Sequence, residues 1–116
     1  MQPEIVCLGE PLVELNQTRP GEPHFLMGHG GDTSNCAVAA ARLGGRVGYL
    51  TRLGADAFGD SFVELWRREG GVCGEVGRDP AASTGIYFVT HGPQGHAFTY
   101  FRAGSAASRL RPDDIP

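Results

Sequence analysis

Between Gly31 and Gly44 the chain carries Cys36-Ala37-Val38-Ala39-Ala40-Ala41, small and apolar on nearly every side. A helix of that composition has no natural solvent face and is expected to be buried, its backbone close against a sheet. Its start is marked by Asp32-Thr33-Ser34-Asn35, four residues whose side chains favour helix N-termini. Its end is expected near Leu43, with Arg42 in the last turn at the negative end of the dipole and Gly44-Gly45 beyond. Upstream, Glu4–Gly9 is a short unbroken apolar run, the pattern of a strand covered on both faces in a parallel sheet. Downstream, Val47–Leu50 supplies a second strand. Strand, helix and strand in that order predict a right-handed crossover.

A second helix opens after Gly54-Ala55-Asp56, with Asp56 as its N-cap. Phe58, Phe62, Leu65 and Trp66 fall at i, i+4, i+7 and i+8 and form its buried face, and Arg67 and Arg68 precede a stop at Gly70-Gly71. Leu12–Leu15 and Phe25–Met27 read as short strands, separated by the punctuated stretch Gln17–Pro23 and followed by a flexible turn at Gly28–Gly31. After residue 84 the period changes to two. Thr84–His91 alternates, Gly92-Pro93-Gln94-Gly95 makes a turn of about four residues, and His96–Arg102 alternates again, which predicts an antiparallel hairpin. Phe98, Tyr100 and Arg102 then share one face. A parallel α/β layer with a separate sheet-like lid is the expected arrangement. Arg111–Pro116 reads as the first turn of a further element, and no internal repeat is present.

Composition excludes several classes of function. The 116 residues allow one domain, and 41 % hydrophobic with 20 % charged residues is ordinary for a globular chain. A net charge of −3 without clusters argues against nucleic-acid or anionic-membrane partners. No apolar run approaches the ~20 residues of a membrane-spanning helix, and Met1–Glu4 lacks the basic start of a signal peptide. All ten basic residues are arginine, so P-loop, Schiff-base and Ser–Lys chemistry has no lysine here. Cys7, Cys36 and Cys73 are widely spaced, with no Cys-x-x-Cys pair and no histidine at metal-ligand spacing. Cys7 and Cys36 read as small buried hydrophobes, and a reducing, cytoplasmic setting is expected. His24, His29, His91 and His96 read as surface residues at turns or loop edges.

Three places could carry chemistry. In Gly30-Gly31-Asp32-Thr33-Ser34-Asn35 the glycines admit close backbone approach, and the helix start adds free N–H donors and a positive dipole end. Asp32 and Asn35 add a carboxylate and a two-way amide, a set suited to vicinal hydroxyls that both donate and accept. A glycine turn with Asp or Thr as plain N-cap and no ligand accounts for the same residues. The pattern is not a dinucleotide fingerprint, since Thr33 stands where the third glycine belongs. Glu10, after the first strand, lies where α/β sheets place ligand groups, or is an ordinary solvated loop carboxylate. Tyr87, Tyr100 and Arg102 would gather on the hairpin, where a guanidinium fork can take a carboxylate between aromatic rings. An exposed cross-strand cluster is the plainer reading of those three.

The order of Gly9-Glu10-Pro11-Leu12-Val13-Glu14, Gly30–Asn35, Leu53-Gly54-Ala55-Asp56-Ala57-Phe58-Gly59, Thr84-Gly85-Ile86-Tyr87 and Tyr100–Ala106 resembles the ribokinase-like, or phosphofructokinase-B, sugar kinases. Within them it looks most like 2-keto-3-deoxygluconate kinases, whose substrate is a sugar acid; fructokinase-like members carry a similar lid arginine, so fructose or a related sugar is the alternative substrate. The resemblance implies an α/β fold: the N-terminal part of a three-layer α/β/α core with a small antiparallel β lid, its strands within 12–28 and 84–102. It implies that Glu10, Gly30, Gly31, Asp32, Asn35, Tyr87, Tyr100 and Arg102 bind a small sugar or sugar acid, Arg102 near the acid end, and that the lid can join two copies. Family members are more than twice as long. Their catalytic base is the aspartate of a Gly-Ala-Gly-Asp motif, absent from these residues along with most of the nucleotide site. The resemblance therefore implies ATP and Mg²⁺ for a full-length kinase and neither for the residues present, with no catalytic residue among them. A non-catalytic sugar-binding or association module is the alternative.

Overall fold

Short apolar runs separated by glycine turns give nine strands and two α-helices in the computed structural model, which describes residues 2–70, 72–73 and 76–116. In chain order these are β1 (Ile5–Leu8), β2 (Leu12–Gln17), β3 (Phe25–Gly30), α1 (Asp32–Arg42), β4 (Val47–Leu50), β5 (Arg52–Gly54), α2 (Ala57–Glu69), β6 (Val72–Cys73), β7 (Gly77–Asp79), β8 (Gly85–Gly92) and β9 (Gly95–Phe101). The glycine stop expected at Gly71 and the thiol of Cys73 lie outside the described residues. A single 3₁₀ turn, Pro112–Asp114, occupies the segment read as the start of a further element.

β1, β4 and β6 form a parallel sheet, with Ile5 opposite Val47 and Leu8 opposite Leu50. Both helices pack on one side of it. Cys7, Ala37, Ala41, Val47, Tyr49, Phe62 and Trp66 make one buried cluster there. Tyr49 and Trp66 lie with ring centroids 4.9 Å apart, and Phe62 adjoins Trp66 at 5.4 Å. The spacing of Phe58, Phe62, Leu65 and Trp66 dictates this face of α2: Phe62 and Trp66 are buried, and Phe58 and Leu65 pack at its margin. Asp56 caps α2 as expected, accepting from the Gly59 amide at 2.8 Å. It also accepts from the Thr84 amide and hydroxyl at 3.0 and 2.8 Å, which ties α2 to the start of β8.

Two burial expectations are corrected. The first strand is covered on one face only, because α1 and α2 share a side; Val6 and Leu8 on the other are 55 % and 51 % exposed. The described residues thus form two of the expected three layers. Within α1 only Ser34, Ala37 and Ala41 are buried, and Cys36 is exposed rather than a core residue. Alanine loses little when exposed, so an alanine-rich helix tolerates a solvent face that its composition does not announce.

β3, β2, β8 and β9 form the lid, in that order. Its two hairpins are antiparallel, but β2 and β8 join in parallel, so the lid is a mixed sheet rather than a purely antiparallel one. The β8–β9 turn is tighter than expected: Gly92 pairs with Gly95, leaving Pro93-Gln94 as a two-residue loop. Gly28–Gly30 belong to β3 and not to a turn, since Leu12 pairs with Gly30 at the end of the ladder. His29 is therefore a strand residue and half-buried. Its ring stands edge-on to Phe62 at 4.8 Å and contacts the Ser61 hydroxyl at 3.1 Å, and burial together with the Arg68 charge pulls its pKa below the usual histidine value. His91 is also within a strand, in β8, with its ring against the Asn16 side chain at 2.8 Å. Between the two sheets the short β5–β7 pair carries Asp79, buried and accepting from Arg52 and Arg109.

Candidate functional site

The chain turns from β3 into α1 at Gly31, whose φ of +94° is left-handed and strained for any side chain. A Cβ there would also press on the Glu10 carbonyl and the Leu12 amide. Gly31 is thereby the helix N-cap, and neither Asp32 nor Thr33 caps with its side chain, contrary to the expectation of an ordinary Asp or Thr cap. Asp32 and Asn35 are left exposed on the first turn. Beside that turn lies a cleft of about 430 Å³, walled on its other side by the lid.

Every residue singled out from the sequence except Gly30 lines this cleft: Glu10, Gly31, Asp32 and Asn35 on the core side, Tyr87, Tyr100 and Arg102 on the lid side. Gly30 stands just behind, where a Cβ would collide with the Tyr87 hydroxyl. Tyr87 and Tyr100 are directly opposed across β8 and β9, with centroids 5.6 Å apart. The Arg102 guanidinium sits 5.7 Å from the centre of the Tyr100 ring. Glu10 is not a solvated loop carboxylate. It accepts a hydrogen bond from the Ser105 hydroxyl and meets Arg102 Nε at 3.4 Å.

Leu12, Thr33 and Phe98 also line the cleft. Phe98 was within reach of the alternating pattern that placed Tyr100. Glu14, which accepts from the Tyr87 hydroxyl at 2.8 Å, was not. Its role depends on the parallel β2–β8 register that sets Glu14 opposite Tyr87, and no local pattern announces a long-range pairing. Burial, the hydrogen bond to Glu14 and its charge push the Tyr87 pKa up to about 12, so the phenol stays neutral and its proton is committed to Glu14.

Two carboxylates, a side-chain amide, one guanidinium and aromatic walls offer both donors and acceptors at short range, which fits a polyhydroxylated ligand. The same set does not fit a nucleoside triphosphate. Two carboxylates would repel it, and the one arginine in the cleft already touches Glu10. Among the described residues no group of three or more His, Cys, Asp or Glu could hold a metal ion.

Residues 2–115 match the profile of the pfkB family carbohydrate kinases. The chain belongs to that family. It is 40 % identical to a 2-dehydro-3-deoxygluconokinase of Thermoproteus tenax over 96 % of its own length and 36 % of that protein's. It is 36 % identical to a probable fructokinase-3 of Arabidopsis thaliana, covering 96 % of this chain and 34 % of the relative. A fructokinase from Xylella fastidiosa, solved with bound ATP, superposes with a TM-score of 0.87 at 30 % identity, over 99 % of this chain and 38 % of that one. The pfkB chain thus has the ribokinase-like fold and spans a little over a third of the length of these relatives. No helix among the described residues is long and apolar enough to cross a membrane.

Proposed function

We propose that this pfkB-family chain forms the sugar-binding side of an ATP-dependent kinase whose substrate is a sugar acid of the 2-keto-3-deoxygluconate type. The observation that carries the reading is the position of Arg102 at the lid side of a cleft otherwise suited to hydroxyl groups. Asp32 and Asn35 take the hydroxyls, Tyr87 and Tyr100 cover the carbon skeleton, and the Arg102 fork takes the carboxylate. The name of the Thermoproteus tenax relative supports the same substrate class. ATP supplies the phosphoryl group in the whole kinase. The residues here bind and orient the sugar and shield it from water; none is placed as the base, and the Gly-Ala-Gly-Asp motif that carries it in the family does not occur in these residues.

One observation favours a neutral sugar such as fructose instead. The contact between Glu10 and Arg102 Nε offsets part of the charge a carboxylate would seek. Titration calorimetry of the chain with 2-keto-3-deoxygluconate and with fructose tests the two readings. Tighter binding of the acid is expected, and equal or reversed affinities reject the sugar-acid reading. The 116-residue chain itself is expected to transfer no phosphate from ATP to either sugar; turnover above a no-enzyme control contradicts that.

A further inference from the structure

α1 starts without a side-chain cap, although Asp32, Thr33 and Ser34 are all capping residues. The two hydroxyls are engaged elsewhere. Thr33 Oγ1 lies 2.5 Å from the Tyr49 hydroxyl, and Ser34 Oγ accepts from Trp66 Nε1 at 3.3 Å. Tyr49 reaches up from β4 and Trp66 across from α2, both almost fully buried and packed on one another. Thr33 is also wedged against Gly9, where a Cβ would collide with it. Asp32 and Asn35, which flank the two anchored residues, are the ones left facing the cleft.

We propose that Tyr49 and Trp66 are positioning residues for the sugar cleft: by holding Thr33 and Ser34 from beneath, they set the direction in which Asp32 and Asn35 face the ligand. The proposal rests on the sugar-binding reading for its consequence and on the two hydrogen bonds for its geometry. With Gly31 at the N-cap no side chain takes the backbone amides of the first turn, and Thr33 and Ser34, already inside it, turn their hydroxyls to the core. Here the first turn keeps those N–H groups free, and its orientation comes from the aromatic core. Neither aromatic lines the cleft, so each acts through the turn. Burial pushes the Tyr49 pKa up to about 12, which keeps its hydroxyl neutral at all working pH values.

Two substitutions remove the bonds while sparing the packing: Tyr49→Phe deletes one hydroxyl, and Ser34→Ala deletes the acceptor for the indole. The Asn35 amide, bonded to the Gly31 carbonyl at 2.9 Å, reports the first turn by hydrogen exchange. Each variant is expected to speed Asn35 exchange about fivefold or more, the worth of one net hydrogen bond, and to weaken 2-keto-3-deoxygluconate binding by a similar factor. Trp66 is the sole tryptophan, so its indole N–H is a single resonance. That resonance should shift when the sugar acid is added to the parent chain and stop responding in Ser34→Ala. Unchanged Asn35 exchange in both variants overturns the proposal, and so does a rise shared equally by the amides of β4, which marks a general loss of stability. Absence of sugar binding by the parent chain, with Asn35 still exchanging faster in the variants, rejects the functional reading and sustains the positioning one. If Tyr49→Phe does not fold, Thr33→Val breaks the same bond from the other side and, since Thr33 itself lines the cleft, is read by Asn35 exchange alone.

Discussion

The core sheet and the lid hold together by different means. The core strands are short, four residues in β1 and β4 and two in β6, and depend on helices that bury Tyr49, Phe62 and Trp66 against them. The lid strands run six to eight residues in unbroken register. Much of the lid's apolar surface stays in water, with Leu26 70 % and Phe101 61 % exposed. Burial fixes the core; the lid leans on its backbone ladders and is joined to the core cluster through Val13, with Leu15 and Ile86 packed beside it. A ligand site across the two therefore has one wall that is costly to alter and one whose side chains can change with little effect on the fold.

The largest effect that could break this contrast is on stability. Phe62→Ala removes a side chain with no exposed surface from the centre of the core cluster and is expected to cost about 3–5 kcal/mol. That is a large share of the ~5–15 kcal/mol typical of a domain. Urea unfolding gives the number. A loss under about 1 kcal/mol would mean that the core is loosely packed and that the difference between the two regions is not one of burial.

The lid's counterpart acts on the ligand. Arg102→Ala should weaken sugar-acid binding roughly ten- to a hundred-fold, the ~1.5–3 kcal/mol of a charge-assisted hydrogen bond, with little change in unfolding free energy. Fructose binding should change far less, since it presents no carboxylate. Arg102→Lys should recover only part of the loss, because a point charge does not reproduce the planar fork. Equal losses for both sugars in calorimetry would make Arg102 a structural lid residue through its contact with Glu10.

Asp56 joins the two regions, and its removal should cost less stability than Phe62→Ala. Burial raises its pKa, but hydrogen bonds from Thr84 and Gly59 and the charge of Arg78 outweigh this and hold it below the usual 3.8. A carboxylate held below its unfolded value contributes stability above that value and loses it as pH falls through the folded pKa. Asp56→Ala should cost about 1–2 kcal/mol at neutral pH through the lost cap and the broken tie to Thr84. Asp56→Asn should flatten the stability profile below pH 3.8 relative to the parent chain. An unaltered acid limb would show that Asp56 is not the carboxylate responsible.

The same division explains what could be read in the sequence. Local periodicity was enough for α2 and its Asp56 cap and for the face shared by Phe98, Tyr100 and Arg102. It was not enough where a partner lies far along the chain. Glu14 meets Tyr87, and Glu10 meets Ser105 and Arg102, only because β2 docks in parallel on β8 and carries the lid back over the end of β1. The exposure of Cys36 and Val6 was likewise hidden, since an apolar run reports what a segment can bury and not what is present to cover it. The expected side-chain cap is absent because the helix begins one residue earlier, at Gly31, which leaves Thr33 and Ser34 inside the first turn with Tyr49 and Trp66 as partners.

The smallest expected effect on stability separates the two apolar surfaces as sources of self-association. β3 is a lid edge, and Leu26 stands on it 70 % exposed, opposite Asn16. Edge strands that carry exposed apolar side chains template pairing with other chains, and a lysine on such an edge blocks it. Leu26→Lys should shift the unfolding free energy by no more than about 0.5 kcal/mol, since it removes little buried surface. It should raise the monomer fraction in sedimentation velocity if the lid edge is what joins copies. Val6→Lys makes the matching change on the uncovered face of β1, where the parent residue is 55 % exposed. A gain in monomer with Val6→Lys and none with Leu26→Lys would place the adhesive surface on the core sheet, and would leave the lid, despite its exposed apolar residues, as the better-behaved half of the molecule.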